Sequence, residues 1–203
     1  AVLAARPALE QHSGDVIVLY ADTPLITAST IAALRSALDL GAGLAVLGFE
    51  AQDPTGYGRL ITVGEATLLA IRKHKDSSPD ELKIKLCNSG VIAFRSPDLL
   101  GVLGRIGNAN AKGEYYLTDA VEIARGDGAH AAVVRCVENE VLGVNSRAQL
   151  AVAERTWQDR ARLARDRQLP GRGRSRWRAP AQSVDGAEDH SGPAFQCRKQ
   201  WCE

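Results

Sequence analysis

Short runs of branched apolar residues, each followed by a segment of helical period, constrain this chain more than any other feature. The first lies in "GDVIVLYADTPLI", where residues 16–20 show no polar alternation. Such a run fits a strand covered on both faces, as in a parallel sheet between helical layers. "GLAVLGFEA" has the same character, and "KLCNSGVIAF" and "HAAVVRCVE" add two further strands. Between them, "ITASTIAALRSALDL" places Ile31, Leu34 and Leu38 at helical spacing, behind an N-cap at Thr27 or Ser29 and ahead of Gly41. "SPDLLGVLGRI" predicts a helix with Ser96 as cap and Pro97 at its first position. "YYLTDAVEIARGDG" predicts one closed by Gly126, and "SRAQLAVAERTWQDRARLA" a long amphipathic one. "GYGRLITV" and "ATLLAIRKH" alternate about Gly64 and Glu65 and predict a hairpin. Strands alternating with helices imply a layered α/β fold, its sheet largely parallel, with the hairpin as an insertion.

Composition limits the function classes. The chain has 203 residues, 45% of them hydrophobic, and a net charge of +1, which suits one domain of roughly 150 residues with some chain left over. A near-neutral balance gives no electrostatic case for nucleic acid or a membrane as partner. No apolar run approaches the ~20 residues that span a bilayer, and "AVLAARPALEQHSGD" lacks the basic-then-apolar order of a signal peptide. A cytoplasmic setting is expected. Cys87, Cys136, Cys197 and Cys202 have neither zinc-site spacing nor the density of a disulfide scaffold, and the first two lie in apolar runs and read as core thiols. "AVLAARPALEQ" looks like the back half of a helix, as an internal fragment would begin. After Ala164 the chain loses both periods and becomes dense in Arg, Gly, Pro and Ser. Such a segment cannot bury enough surface to offset chain entropy, so residues 165–203 are expected to be disordered and to lie outside a domain of residues 1–164. A shifted reading frame would explain the change of composition.

Asp22 ends the first apolar run, and two readings stand for it. The carboxyl edge of an open α/β sheet is where ligands bind, so a carboxylate there suits a metal or a sugar hydroxyl. Asp beside Pro is also an ordinary turn former. Four more loops are specific for their length. "DPTGYGRL" packs Pro54, Gly56 and Gly58 around Tyr57, and "CNSGVIAF" sets Asn88 and Gly90 at a strand start. "KGEYYLTD" precedes a helix, and "GVNSRAQL" puts Asn145 just before one. In this order and spacing, residues 1–164 resemble the sugar nucleotidyltransferases, most closely the N-acetylglucosamine-1-phosphate uridylyltransferases. The resemblance implies an α/β, Rossmann-like, mostly parallel mixed sheet of the nucleotide-diphospho-sugar transferase type, here missing its first strands.

In that family a sugar-1-phosphate oxygen attacks the α-phosphorus of UTP, pyrophosphate leaves, and Mg2+ holds the phosphates. The product, UDP-N-acetylglucosamine, is a precursor of peptidoglycan and lipopolysaccharide. The resemblance makes Asp22 the catalytic residue and a metal ligand, with Asn145 the second ligand. Tyr20 and Ala21 would line the nucleotide-sugar, Gly58 would admit the sugar, and Asn88 would hydrogen-bond its hydroxyls or the ribose. Lys73 stands where these enzymes carry a sugar-binding glutamate, so an acceptor has become a donor. Structural roles remain open beside these: Gly58 as backbone relief, Asn88 at a bulge, Asn145 as a helix cap. Tyr115 and Tyr116 read as packing and shape, and His74 as exposed. The family's Gly-x-Gly-Thr-Arg phosphate loop is not among these residues, nor is the hexapeptide period of an acetyltransferase β-helix. Without that β-helix no oligomer is expected. The alternatives are an inactive remnant that at most binds a nucleotide-sugar, and an interaction module on the same fold.

Overall fold

The computed structural model describes residues 2–108 and 113–168. A 3-10 turn, Val2–Ala5, and the one-turn helix α1 (Arg6–Leu9) precede strand β1 (Val16–Val18) and helix α2 (Ala28–Asp39). Next come β2 (Leu44–Glu50), the hairpin strands β3 (Arg59–Val63) and β4 (Thr67–Arg72), and β5 (Leu86–Phe94). The chain continues through α3 (Ser96–Arg105), α4 (Ala120–Gly126), β6 (Ala131–Cys136) and α5 (Arg147–Gln168). One six-stranded sheet runs in the order β1-β5-β2-β6-β4-β3, with β3 also touching β5.

The sheet is mixed, as expected, but its parallel character lies in direction more than in neighbours. β1, β2 and β6 run the same way, yet β5 is antiparallel to both β1 and β2, so β2–β6 is the parallel ladder. β2 shows why its sequence lacks polar alternation. Leu44 and Val46 face one core with Leu99, Val102 and Val121, while Ala45, Leu47 and Phe49 face a second with Leu34 and Leu38. Both faces are covered, and each such aliphatic side chain contributes about 1.5–3 kcal/mol on burial. α2 therefore covers one face, and α3 and α4 the other.

Several local expectations change. β1 stops at Val18 and is only half-buried; among the described residues its ladder partner is β5, and Leu19 and Tyr20 lie beyond the strand and are exposed. Thr27 is the cap of α2, its hydroxyl accepting from the Thr30 N–H at 3.3 Å. Ser96 does not cap α3: Arg95 holds that position, and the Ser96 hydroxyl donates to the His12 carbonyl at 3.3 Å. Cys87 is fully buried, whereas Cys136 is half-buried. α5 continues four residues past Ala164, to Gln168; the disorder expected of the tail falls, from residue 169 onward, outside the described residues. Among the described residues no helix is long and apolar enough to cross a membrane.

Candidate active site

The middle of β5 departs from the regular ladder. Between the pairs Val46↔Ile92 and Gly48↔Asn88, β2 advances two residues while β5 advances four. Side chains take up the backbone groups this frees. Ser89 Oγ donates to the Leu47 carbonyl at 2.7 Å, and the Gly90 N–H donates to Asn88 Oδ1 at 3.0 Å. Bulges of this kind re-aim side chains and are common beside active sites. Gly90 has φ of +90°, and its missing side chain leaves room for the Tyr20 ring.

A pocket of about 530 Å³ opens between the end of β1, this bulge and residues 115–118. Tyr20, Ala21 and Asn88, the residues that the resemblance assigns to the nucleotide-sugar, line it together with Gly90, Tyr116 and Thr118. Leu103, Ile106 and Leu117 give it an apolar wall. Gly58 lies behind Asn88: its carbonyl accepts from the Asn88 N–H at 2.8 Å. A Cβ there would stand 3.3 Å from the Ile71 Cγ2 methyl and 3.8 Å from Asn88 Cβ, so its small size also serves the packing of the hairpin. Lys73 meets the pocket through Tyr116, with Nζ 2.9 Å from the ring centroid. The Tyr116 phenol is held above its ordinary pKa by desolvation and then by the nearby Glu114 charge.

Asp22 belongs to a turn, and this does not separate it from the other expected ligand. Thr23 N–H and Oγ1 both donate to the Tyr20 carbonyl, at 3.2 and 2.9 Å, closing the turn around Ala21 and Asp22. The Val144 N–H then donates to the Asp22 carbonyl at 2.8 Å and draws the segment before α5 alongside. The position of a Cβ on Gly143 would lie 3.9 Å from Asp22 Oδ2 and 3.3 Å from Asn145 Nδ2. A carboxylate and a carboxamide are thus gathered over a residue with no side chain. Both residue types offer oxygen, the Asn145 amide after a half turn. A two-member oxygen set fits a hard divalent cation, which keeps waters and takes further oxygens from substrate phosphates. Among the described residues no group of three or more His, Cys, Asp or Glu is assembled for a metal.

Sequence reasoning assigned Tyr116 to packing and did not include Thr118 or Gly90 among the site residues. A glycine inside a strand pattern was the available signal for Gly90. Val2 and Leu3 also line the pocket, and nothing in their sequence context marks them. His74, expected to be exposed, is half-buried, its Nδ1 3.4 Å from Arg59 Nη2. Arg59 is 1% exposed and donates through Nη1 to the Tyr57 carbonyl at 2.5 Å, which fixes the "TGYGR" loop. Asp53, at the start of that loop, sits below its ordinary pKa, through hydrogen bonds from Thr55 first and then the Arg59 and His74 charges.

Over 164 residues, 81% of this chain, the sequence is 60% identical to the bifunctional protein GlmU of Azorhizobium caulinodans and 59% identical to that of Xanthobacter autotrophicus. The chain spans 36% of the length of each. No protein-family model matches it. A CMP:2-keto-3-deoxy-manno-octonic acid synthetase complexed with CTP superposes with a TM-score of 0.51 at 15% identity, covering 79% of this chain and 66% of its own. The nucleoside-diphosphate-sugar pyrophosphorylase of Vibrio cholerae RC9 gives 0.52 at 14%, covering 76% and 62%. At such identity these two likenesses concern the fold alone. On its sequence the chain is a relative of the GlmU proteins over about a third of their length, built on the nucleotide-sugar pyrophosphorylase fold.

Proposed function

We propose that this segment serves transfer of a uridylyl group from UTP to N-acetylglucosamine-1-phosphate, giving UDP-N-acetylglucosamine and pyrophosphate. The observation that carries the reading is the gathering of Asp22 and Asn145 over Gly143, next to the pocket wall of Tyr20 and Ala21. Mg2+ held by Asp22 and Asn145 would neutralise phosphate charge, the main requirement of such a displacement. The chain's own residues bind and orient. Tyr20 and Ala21 supply the surface for the nucleotide-sugar. Asn88 has its Oδ1 engaged by Gly90, which leaves the amide nitrogen to donate to a sugar or ribose hydroxyl. Tyr116, with Lys73 behind it, bounds the sugar, and the Leu103, Ile106 and Leu117 wall keeps water from one side.

Holding reactants in line contributes more here than a strong base. The setting is cytoplasmic, consistent with a nucleoside triphosphate donor and the free thiols of Cys87 and Cys136, and the segment acts as a monomer. A second reading, binding of the nucleotide-sugar without turnover, rests on the lack of a Gly-x-Gly-Thr-Arg stretch in these 203 residues. Two measurements on this chain separate them: pyrophosphate release from UTP, N-acetylglucosamine-1-phosphate and Mg2+, and calorimetric binding of UDP-N-acetylglucosamine. Binding that Asn88→Ala weakens supports the site, and release of pyrophosphate adds the reaction. Neither binding nor turnover would refute both readings.

A further inference from the structure

Glu140 is 8% exposed and belongs to no motif discussed above. Its Oε2 accepts three hydrogen bonds, from Thr30 Oγ1 at 2.5 Å, Thr27 Oγ1 at 3.0 Å and the Thr27 N–H at 3.1 Å. No ion pair is formed by it among the described residues. A buried carboxylate without a cation is costly unless its lone pairs are filled, and here donors at the start of α2 fill them. That end of a 12-residue helix also carries partial positive charge. The placement matters because of what lies on either side. Thr27 follows the turn that carries Asp22, and Glu140 closes the 3-10 turn Glu138–Glu140 that leads to Gly143 and Asn145. The contact spans 110 residues of sequence. Beyond it the same two segments are joined again by the Val144 N–H on the Asp22 carbonyl.

We propose that Glu140 is a positioning residue for the cation pair: it clamps the 140–145 segment to the start of α2 and so sets the distance between Asp22 and Asn145. This rests on the metal reading above, and the test keeps the two apart. All three donors converge on one oxygen, so Glu140→Gln, which retains a carbonyl oxygen there, is the rescuing variant, and Glu140→Ala removes the clamp. Val102→Ala, in the core under α3 on the opposite face of the sheet, controls for general loss of stability.

Mn2+ binding to the intact chain is followed by electron paramagnetic resonance, and exchange of the Val144 amide by hydrogen–deuterium exchange. Glu140→Ala should weaken Mn2+ about tenfold and speed Val144 exchange at least tenfold, about 1.4 kcal/mol of local opening. Glu140→Gln should stay within about threefold of the parent on both, and Val102→Ala should lower the melting temperature while moving neither. Should Glu140→Ala melt away, Glu140→Gln and Thr30→Val carry the test, the latter removing one donor and giving an intermediate loss. A parent that binds Mn2+ with Glu140→Ala unchanged overturns this proposal alone. A parent that binds none refutes the metal pair, and unchanged Val144 exchange in Glu140→Ala then refutes the clamp as well.

Discussion

Replacing Gly90 by alanine tests the pocket wall and the backbone beneath it in one variant. Gly90 holds φ of +90°, and placing a side chain there costs about 1–3 kcal/mol. The new Cβ would stand 2.6 Å from Tyr20 Cε2 and 3.2 Å from Cδ2, well inside van der Waals contact. Tyr20 is 47% exposed, so its ring swings toward solvent and β5 keeps its register. The clash therefore adds little to the loss of stability but takes the ring off the wall. For a chain of this size 1 kcal/mol corresponds to about 2–4 °C of melting temperature, so the melt should fall by roughly 2–12 °C. UDP-N-acetylglucosamine affinity, measured by calorimetry, should fall about tenfold, the equivalent of one lost aromatic contact. Tyr20→Ala separates the two effects: it should lose the same affinity while the stability changes by no more than about 0.5 kcal/mol, as for other exposed positions. An unchanged melt for Gly90→Ala would mean that the bulge relaxes to an ordinary φ. Unchanged affinity in both variants would remove Tyr20 from the site.

On the proposed transfer, Asp22→Asn removes a formal charge from the surroundings of the proposed cation and, in a domain completed by the segment carrying the phosphate loop, should lose roughly a hundredfold or more in rate, with a higher Mg2+ requirement. Asn145→Ala, losing a neutral group that water partly replaces, should be milder; rate against Mg2+ concentration ranks them, and near-normal behaviour of Asp22→Asn would leave it a turn residue. Lys73→Glu introduces the acceptor that the resemblance implies at this position and, on the proposed transfer, should improve use of N-acetylglucosamine-1-phosphate by about 1–3 kcal/mol, less the ~0.5–1 kcal/mol of the Lys73 contact with Tyr116. An unchanged catalytic efficiency would place Lys73 outside the sugar pocket. The Cys136 thiol is pushed up to about 12 by burial, with a smaller contribution from the Glu140 charge. The native state therefore keeps a proton that the unfolded chain has lost, and stability should decline as pH rises from about 9 toward 12. Cys136→Ser should flatten that decline in urea titrations at pH 8 and pH 10.5, and an identical slope would refute the assignment.

The features legible in the sequence are those written in short-range pattern. The unbroken apolar run of β2 predicted a strand covered on both faces, and Leu34 and Leu38 meet it from α2 at the spacing the helix requires. β1 misled because a run of the same character does not state where its ladder ends: the pairing with β5 stops at Val18, and Leu19 and Tyr20 leave the strand exposed. The direction of β5 was equally hidden. Its sequence suits a buried strand of either polarity, and its place between β1 and β2 is a long-range choice. The candidate site divides in the same way. Asp22, Asn88 and Asn145 were marked by motifs, since each sits in a local turn, bulge or helix start that favours particular residues. The approach of Asp22 to Asn145 was not legible, because the segments are joined by contacts far apart in sequence: the Val144 N–H on the Asp22 carbonyl, and Glu140 on Thr30 and Thr27 across 110 and 113 residues. Glu140 in "CVENEVLGV", two residues after Glu138, carries no signal for this role. Its cost of burial becomes visible only once the donors that fill its lone pairs are in place, and those donors belong to the helix that follows Asp22.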